Sequence, residues 1–181
     1  MKILGLFRHA KSDWADPRAR DFDRPLNERG LRGAALMGKH IHGTGRSFDR
    51  IVASPAVRVA DTIEHASKAW GHSFRVEWDR RIYLASSATL MDLLRDLEGD
   101  PAAVLMVGHN PGLEDLIFDL VPDDGSSPLR DVVEEKFPTA TYAVLELDIE
   151  SWDDIDDGCA WLVELVRPRD LDQELGPELV G

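Results

Sequence analysis

Residues 2–14 read KILGLFRHAKSDW, and this stretch decides the fold. Ile3, Leu4, Leu6 and Phe7 form a short apolar run with strand character, which stops abruptly at Arg8 and His9. Two cationic or titratable side chains behind a buried strand must reach solvent or meet an anion. Working outward, short apolar runs alternate with longer amphipathic ones. A charged, proline-bounded loop (16–25) leads to a helix over 26–43, with Asn27 as its N-cap and Gly43 as its stop. Strand FDRIVAS (48–54) precedes a helix over 55–71, and FRVEW (74–78) reads as a short strand. A helix over 87–99, the strand AAVLMVG (102–108) and a helix over 111–121 follow. TATYAVLELD (139–148) and CAWLVELV (159–166) close the pattern as strands, and the tail beyond Arg167 reads as loosely held. Strand–helix alternation with near-continuous apolar strands predicts a three-layer α/β/α sandwich around a largely parallel sheet, in one domain over 1–181.

Three of these strands end in polar residues. The first ends in Arg8-His9, the second in Ser54-Pro55 with Arg58 one turn further on, and the third in His109-Asn110 before Pro111. In open α/β sheets the carboxyl ends of the strands form the ligand edge, so Arg8, His9, Arg58 and His109 are expected at one place. Proline favours the first helical position, which makes Ser54 and Asn110 the expected N-caps of helices starting at that edge. Helix N-termini and arginine forks together favour phosphate. Taken singly, each piece is weak: a lone histidine at a strand end is usually structural, and SPxxR or HNPG alone is a capped turn. Their joint occurrence on three strand ends is specific.

The segments LFRHAKSDW, RPLNERGLRGA, RIVASPAVRVADT and VLMVGHNPGLEDLI resemble the histidine phosphatase superfamily, with the phosphoglycerate mutase-like fold. FPTATYAVLEL extends the likeness to about residue 147. The short chain, and RHA in place of the more usual RHG, is most similar to the SixA-like phosphohistidine phosphatase branch. The resemblance implies that His9 is a nucleophile forming a transient phosphohistidine. Arg8, Arg58 and His109 would then clamp the phosphoryl oxygens, with Asn110 beside them. It implies no cofactor and no metal.

Many members of that superfamily carry a carboxylic acid after the SPxxR helix to protonate the leaving group. Here WDRRIYLAS puts the expected position on or near Leu84. Asp13, Asp79 and Glu114 are the substitutes to consider, each of them also readable as a surface or capping carboxylate. A missing acid handicaps alkyl esters more than phosphoramidates, so the expected substrate is protein phosphohistidine. A small-molecule phosphomonoesterase and a non-catalytic phosphate-binding protein are the alternatives.

Composition sets the outer bounds. The 181 residues carry net charge −13, which argues against nucleic acid as a partner. The balance is uneven: residues 1–58 sum to +6 and residues 59–181 to −19, which suits a focused anion site in the N-terminal third. One cysteine, Cys159, excludes an internal disulfide and reads as a structural thiol. No apolar run reaches membrane-span length, and the N-terminus lacks signal-peptide features, so no membrane partner and a cytoplasmic location are expected. His40, His42, His65 and His72 sit near helix ends without ligand spacing, and no HExxH or Cys/His cluster suggests a metal. The five tryptophans are scattered, as core or rim residues.

Overall fold

The computed structural model describes residues 1–71 and 74–177, and His72 lies outside them. Six strands form one mixed sheet: β1 (Lys2–Arg8), β2 (Arg50–Ala53), β3 (Val76–Trp78), β4 (Ala103–Gly108), β5 (Tyr142–Leu147) and β6 (Ala160–Val166). Their spatial order is β3-β2-β4-β1-β5-β6. The pairs β3–β2, β2–β4 and β4–β1 are parallel, whereas β5 and β6 join antiparallel. The parallel part therefore carries the strand ends of interest.

Helices cover both faces: α1 (Glu28–Gly43) and α2 (Val57–Trp70) on one side, α3 (Ser87–Arg95), α4 (Gly112–Leu120) and α5 (Pro128–Glu135) on the other. Strand β1 shows why both layers are needed. Leu4 and Leu6 face the core built with α3 and α4, while Phe7 faces the core built with α1 and α2. Fully burying each such side chain is worth about 1.5–3 kcal/mol. This is the expected α/β/α sandwich.

Helix α1 starts where the sequence says, with the Asn27 side chain accepting from the Gly30 N–H at 2.8 Å. Such a cap contributes about 1 kcal/mol. Gly38 lets α1 and α2 approach closely, since a Cβ there would lie 2.3 Å from the Ala66 carbonyl oxygen. Three expectations need correction. Helices α2 and α4 begin at Val57 and Gly112, so Ser54 and Asn110 precede the N-cap positions and the prolines are not first helical residues. Both side chains still bond nearby N–H groups: Ser54 Oγ accepts from Ala56 at 3.3 Å, and Asn110 Oδ1 from Glu114 at 3.3 Å. Helix α5, capped by Ser127 and opened by Pro128, is an element the sequence reading leaves unassigned. Finally, the tail through Pro177 is not loose. It forms α6 (Pro168–Leu171) and a 3₁₀ turn over Gln173–Leu175, held to α1 by ion pairs from Arg32 to Asp172 and to Glu174 (2.8 Å for the latter). Arg29 also donates to the Gly176 carbonyl.

Candidate active site

Sheet register assembles the site. Arg8 pairs with Gly108 across β1–β4, and Ala53 pairs with Val107 across β2–β4. The residues that follow, His9, His109 and Ser54, thus leave the sheet at one level. The ladder continues into the loops, with His9 N–H donating to Gly108 O and Ser54 N–H to Val107 O, each at 3.1 Å. His9 and His109 come together with ring centroids 5.3 Å apart. Arg58, on the first turn of α2, joins them. Its carbonyl accepts from Thr62 Oγ1 at 2.7 Å, and that same hydroxyl oxygen accepts from the Ala10 N–H at 2.9 Å, tying α2 to the end of β1.

His9 is buried, and its Nδ1 lies 2.7 Å from the Ala10 carbonyl oxygen. A carbonyl can only accept, so Nδ1 carries the proton and the Nε2 lone pair is free. Burial pushes the imidazole pKa down to about 4; the Ala10 carbonyl opposes this, while Arg8 and Arg58 reinforce it. His9 is neutral near pH 7, the form in which imidazole is a nucleophile.

His109 is complementary. Its Nε2 is 2.8 Å from Ser54 Oγ, and its Nδ1 is buried with no hydrogen-bond partner. Ser54 is fully buried, and its oxygen already accepts from the Ala56 N–H. His109 Nε2 is then the acceptor available to the Ser54 hydroxyl proton, which leaves the proton of the neutral ring on Nδ1. Burial first, then His9 and Arg58, push the His109 pKa down to about 3. Arg8 donates from Nη1 to the Phe137 carbonyl at 2.8 Å, while its Nε is buried without a partner. Burial lowers its pKa, Glu114 counters this and Arg58 adds to it. Two unpaired buried N–H donors, Arg8 Nε and His109 Nδ1, therefore stand beside a free imidazole lone pair. Buried donors of this kind call for an acceptor, and an oxyanion supplies several. Asn110 Nδ2 shares the Phe137 carbonyl at 3.1 Å, so its side chain braces the Arg8 loop and retains one free N–H.

Two site residues escaped the sequence reading. Asp21, in a 3₁₀ turn over Asp21–Asp23, accepts from Arg58 through its carbonyl (2.7 Å) and its Oδ2 (3.0 Å). Tyr83 donates its hydroxyl to the same Oδ2 at 2.5 Å, and its ring stands edge-on to His109 with centroids 5.4 Å apart. The Tyr83 hydrogen bond and then Arg58 hold the Asp21 carboxyl below its ordinary range, with partial burial opposing. Leu84 is exposed, at φ 50°, so no carboxylate occupies the expected acid position.

The three substitute carboxylates differ. Asp79 caps Arg81 N–H and pairs with its guanidinium at 2.8 Å, which lowers its pKa. Asp13 accepts from Ala15 N–H in the loop. Glu114 makes no side-chain hydrogen bond or ion pair among the described residues. Burial first, then Asp115, raise its pKa against the pull of Arg8. Glu114 is shifted in the direction a proton donor needs, and Asp79 in the opposite one.

The remaining sequence candidates lie elsewhere. His40 Nε2 meets Glu164 at 3.0 Å, His65 Nδ1 meets the Asp61 carbonyl at 3.0 Å, and His42 lies against the Trp70 ring. Cys159 is half-buried, with its thiol pKa raised by burial. Trp152 is a core residue whose Nε1 donates to Pro101 O at 2.8 Å, while Trp14, Trp78 and Trp161 are exposed. Among the described residues no group of three or more His, Cys, Asp or Glu side chains is placed to hold a metal ion. No helix among them is long and apolar enough to cross a membrane.

The model of the histidine phosphatase superfamily (branch 1) matches residues 4–82. An uncharacterized Mycobacterium tuberculosis protein is 33% identical over 163 residues, which cover 90% of this chain and 99% of the relative. The chain belongs to the histidine phosphatase superfamily. The Agrobacterium tumefaciens protein named for the phosphohistidine phosphatase SixA superposes with TM-score 0.77 at 28% identity, covering 92% of this chain and 98% of its own. A Nakamurella multipartitia protein of the same designation gives 0.79 at 29% identity, with 92% and 96% covered. Within the superfamily the chain is SixA-like.

Proposed function

We propose that this protein is a phosphatase that takes the phosphoryl group onto His9 Nε2 and then gives it to water, with protein phosphohistidine as substrate. The observation that carries the reading is the 2.7 Å contact between His9 Nδ1 and the Ala10 carbonyl. It leaves Nε2 unprotonated and aimed away from the backbone, and it stabilises the ring when attack makes it cationic. In the first step the Nε2 lone pair forms the new N–P bond. The bond from phosphorus to the leaving nitrogen breaks, and its electron pair departs with the leaving group. In the second step water adds to phosphorus and the pair returns to Nε2. Arg8, Arg58 and His109 Nδ1–H stabilise the charge on the equatorial oxygens throughout.

Substrate choice follows from the leaving group. A phosphohistidine imidazole protonated on its other nitrogen departs neutral and needs no acid from the protein, consistent with Leu84 at the expected acid position. A second reading, a small-molecule phosphomonoesterase, is favoured by one observation: the raised pKa of Glu114 beside Arg8.

The test is turnover on a phosphohistidine protein and on simple phosphate esters side by side, with the phosphoenzyme trapped by rapid quench. The expected adduct is alkali-stable and acid-labile, as a phosphoramidate is, and it is lost with activity in a folded His9→Ala variant. Substantial turnover by that variant rules out His9 as the nucleophile.

A further inference from the structure

A second basic pocket lies on the α1 side of the same sheet edge. It is a cavity of about 110 Å³ whose charged lining consists of Lys11, Arg29, Lys136 and Arg169, with no carboxylate among its lining residues. In a chain with 34 acidic and 21 basic residues, four cations and, among the described residues, no acid around one cavity runs against the overall composition. Three tail acids among the described residues are engaged elsewhere. Asp170 pairs with Arg167 at 2.9 Å, and Asp172 and Glu174 pair with Arg32. Among the described residues the side chains of Lys11, Lys136 and Arg169 make no hydrogen bond or ion pair, and Arg29 reaches only the Gly176 carbonyl. Thr139 adds a hydroxyl without a hydrogen-bond partner to the lining.

We propose that Lys11, Arg29, Lys136 and Arg169 form a second anion site, separate from the His9 pocket, that takes a single oxyanion group. Like charges held around one cavity repel, and an anion there relieves the repulsion at the moment it binds. Size sets the class of ligand. The cavity is smaller than the roughly 300 Å³ or more typical of pockets for drug-sized ligands. Phosphate, sulfate or a carboxylate matches it in charge and size. The group can arrive as a free ion or on an acidic side chain of a protein substrate. The site adjoins the catalytic loops through the chain itself, since Ala10 in its lining follows His9, and Lys136 precedes Phe137, whose carbonyl holds Arg8.

The experiment is an amide NMR titration of the full chain with inorganic sulfate, and in a parallel arm with a short Asp/Glu-rich peptide. The probes are the amides of Gly33 and Thr139. Arg58→Ala disables the catalytic clamp, and Lys11→Ala/Lys136→Ala/Arg169→Ala disables the proposed site. The double variant Lys11→Gln/Lys136→Gln, at two exposed positions, guards against a folding defect. Shifts at Gly33 and Thr139 are expected to persist in Arg58→Ala. They should weaken by about tenfold or more in apparent affinity when the cations are removed, and fade with added sodium chloride. A peptide that binds more tightly than sulfate identifies a protein-borne carboxylate as the source, and the reverse identifies a free oxyanion. Absence of shifts at these amides, or shifts that vanish with Arg58→Ala and survive the lysine substitutions, would overturn the proposal.

Discussion

The imidazoles of His9 and His109 stand 5.3 Å apart, and burial holds both well below the ordinary histidine pKa, at about 4 and about 3. In the unfolded chain each protonates near pH 6.5. Below that pH the unfolded state binds protons that the native state refuses, so stability falls as pH drops from about 6.5 towards the native values. Each pH unit of unequal protonation costs about 1.4 kcal/mol per group, and the two neighbours add to less than twice one. The urea midpoint should therefore fall between about pH 7 and about pH 5, and fall less steeply in His109→Gln. Equal slopes in the two proteins contradict the buried neutral pair. Turnover, corrected for ionisation of the substrate, should show no loss near pH 6.5 from His9.

Ser54 acts on the reaction through His109, by fixing which nitrogen carries the proton. Ser54→Ala frees the ring to place its proton on Nε2, turning an acceptor towards the phosphoryl oxygens. We expect phosphate or vanadate affinity to weaken by about tenfold, in line with the loss of one oriented donor, and Ser54→Thr to restore most of it. Histidine ¹⁵N shifts should report Nδ1–H in wild type and a mixture in Ser54→Ala. An unchanged tautomer would count against this role.

Leaving-group dependence separates the two substrate readings. With Leu84 in place of an acid, phosphohistidine should outpace aryl phosphate, and aryl phosphate should outpace phosphoserine. Glu114→Gln should leave the first rate nearly unchanged. If Glu114 serves esters, their turnover should drop by about tenfold or more, the scale of a partial general acid. Similar fast chemical steps for alkyl and aryl esters in Glu114→Gln would point to a donor elsewhere.

Every role in the proposed reaction is filled by imidazole, guanidinium or a hydrogen-bond donor of this chain. EDTA is therefore expected to leave the rate unchanged, and vanadate to compete with substrate. A rate lost on chelation and restored by a divalent ion argues against that division of labour.

The fold and the meeting of Arg8, His9, Arg58 and His109 at one sheet edge are legible because each is written in local pattern. Apolar runs ending in Arg8-His9, Ser54-Pro55 and His109-Asn110 give both the strands and the shared edge, since parallel strands align their ends. The helix starts expected at Ser54 and Asn110 come too early: Ala56 is still non-helical at ψ 142° ahead of α2, and α4 opens only after Pro111. Helix α5 had its Ser127-Pro128 start signal but only a short apolar face, Leu129, Val132 and Val133. Asp21 and Tyr83 could not be read at all. They meet across 62 positions through one hydrogen bond, and each lies in a segment that looks like an ordinary charged loop or turn. The tail looked unanchored because its anchor, Arg32, is 140 positions away on α1.

A phosphatase manufactures the ion its own cradle is shaped to keep, and the Asp21 carboxylate changes what happens next. Arg58 is already half-satisfied by that resident anion, so a departing phosphate is replaced rather than merely lost. The expected result is quick clearance and little self-poisoning as inorganic phosphate accumulates. Asp21→Asn removes the competitor, and phosphate should then inhibit several-fold more strongly while the Tyr83 hydroxyl keeps an oxygen to bond. Weaker inhibition in that variant would mean that Asp21 chiefly orients Arg58.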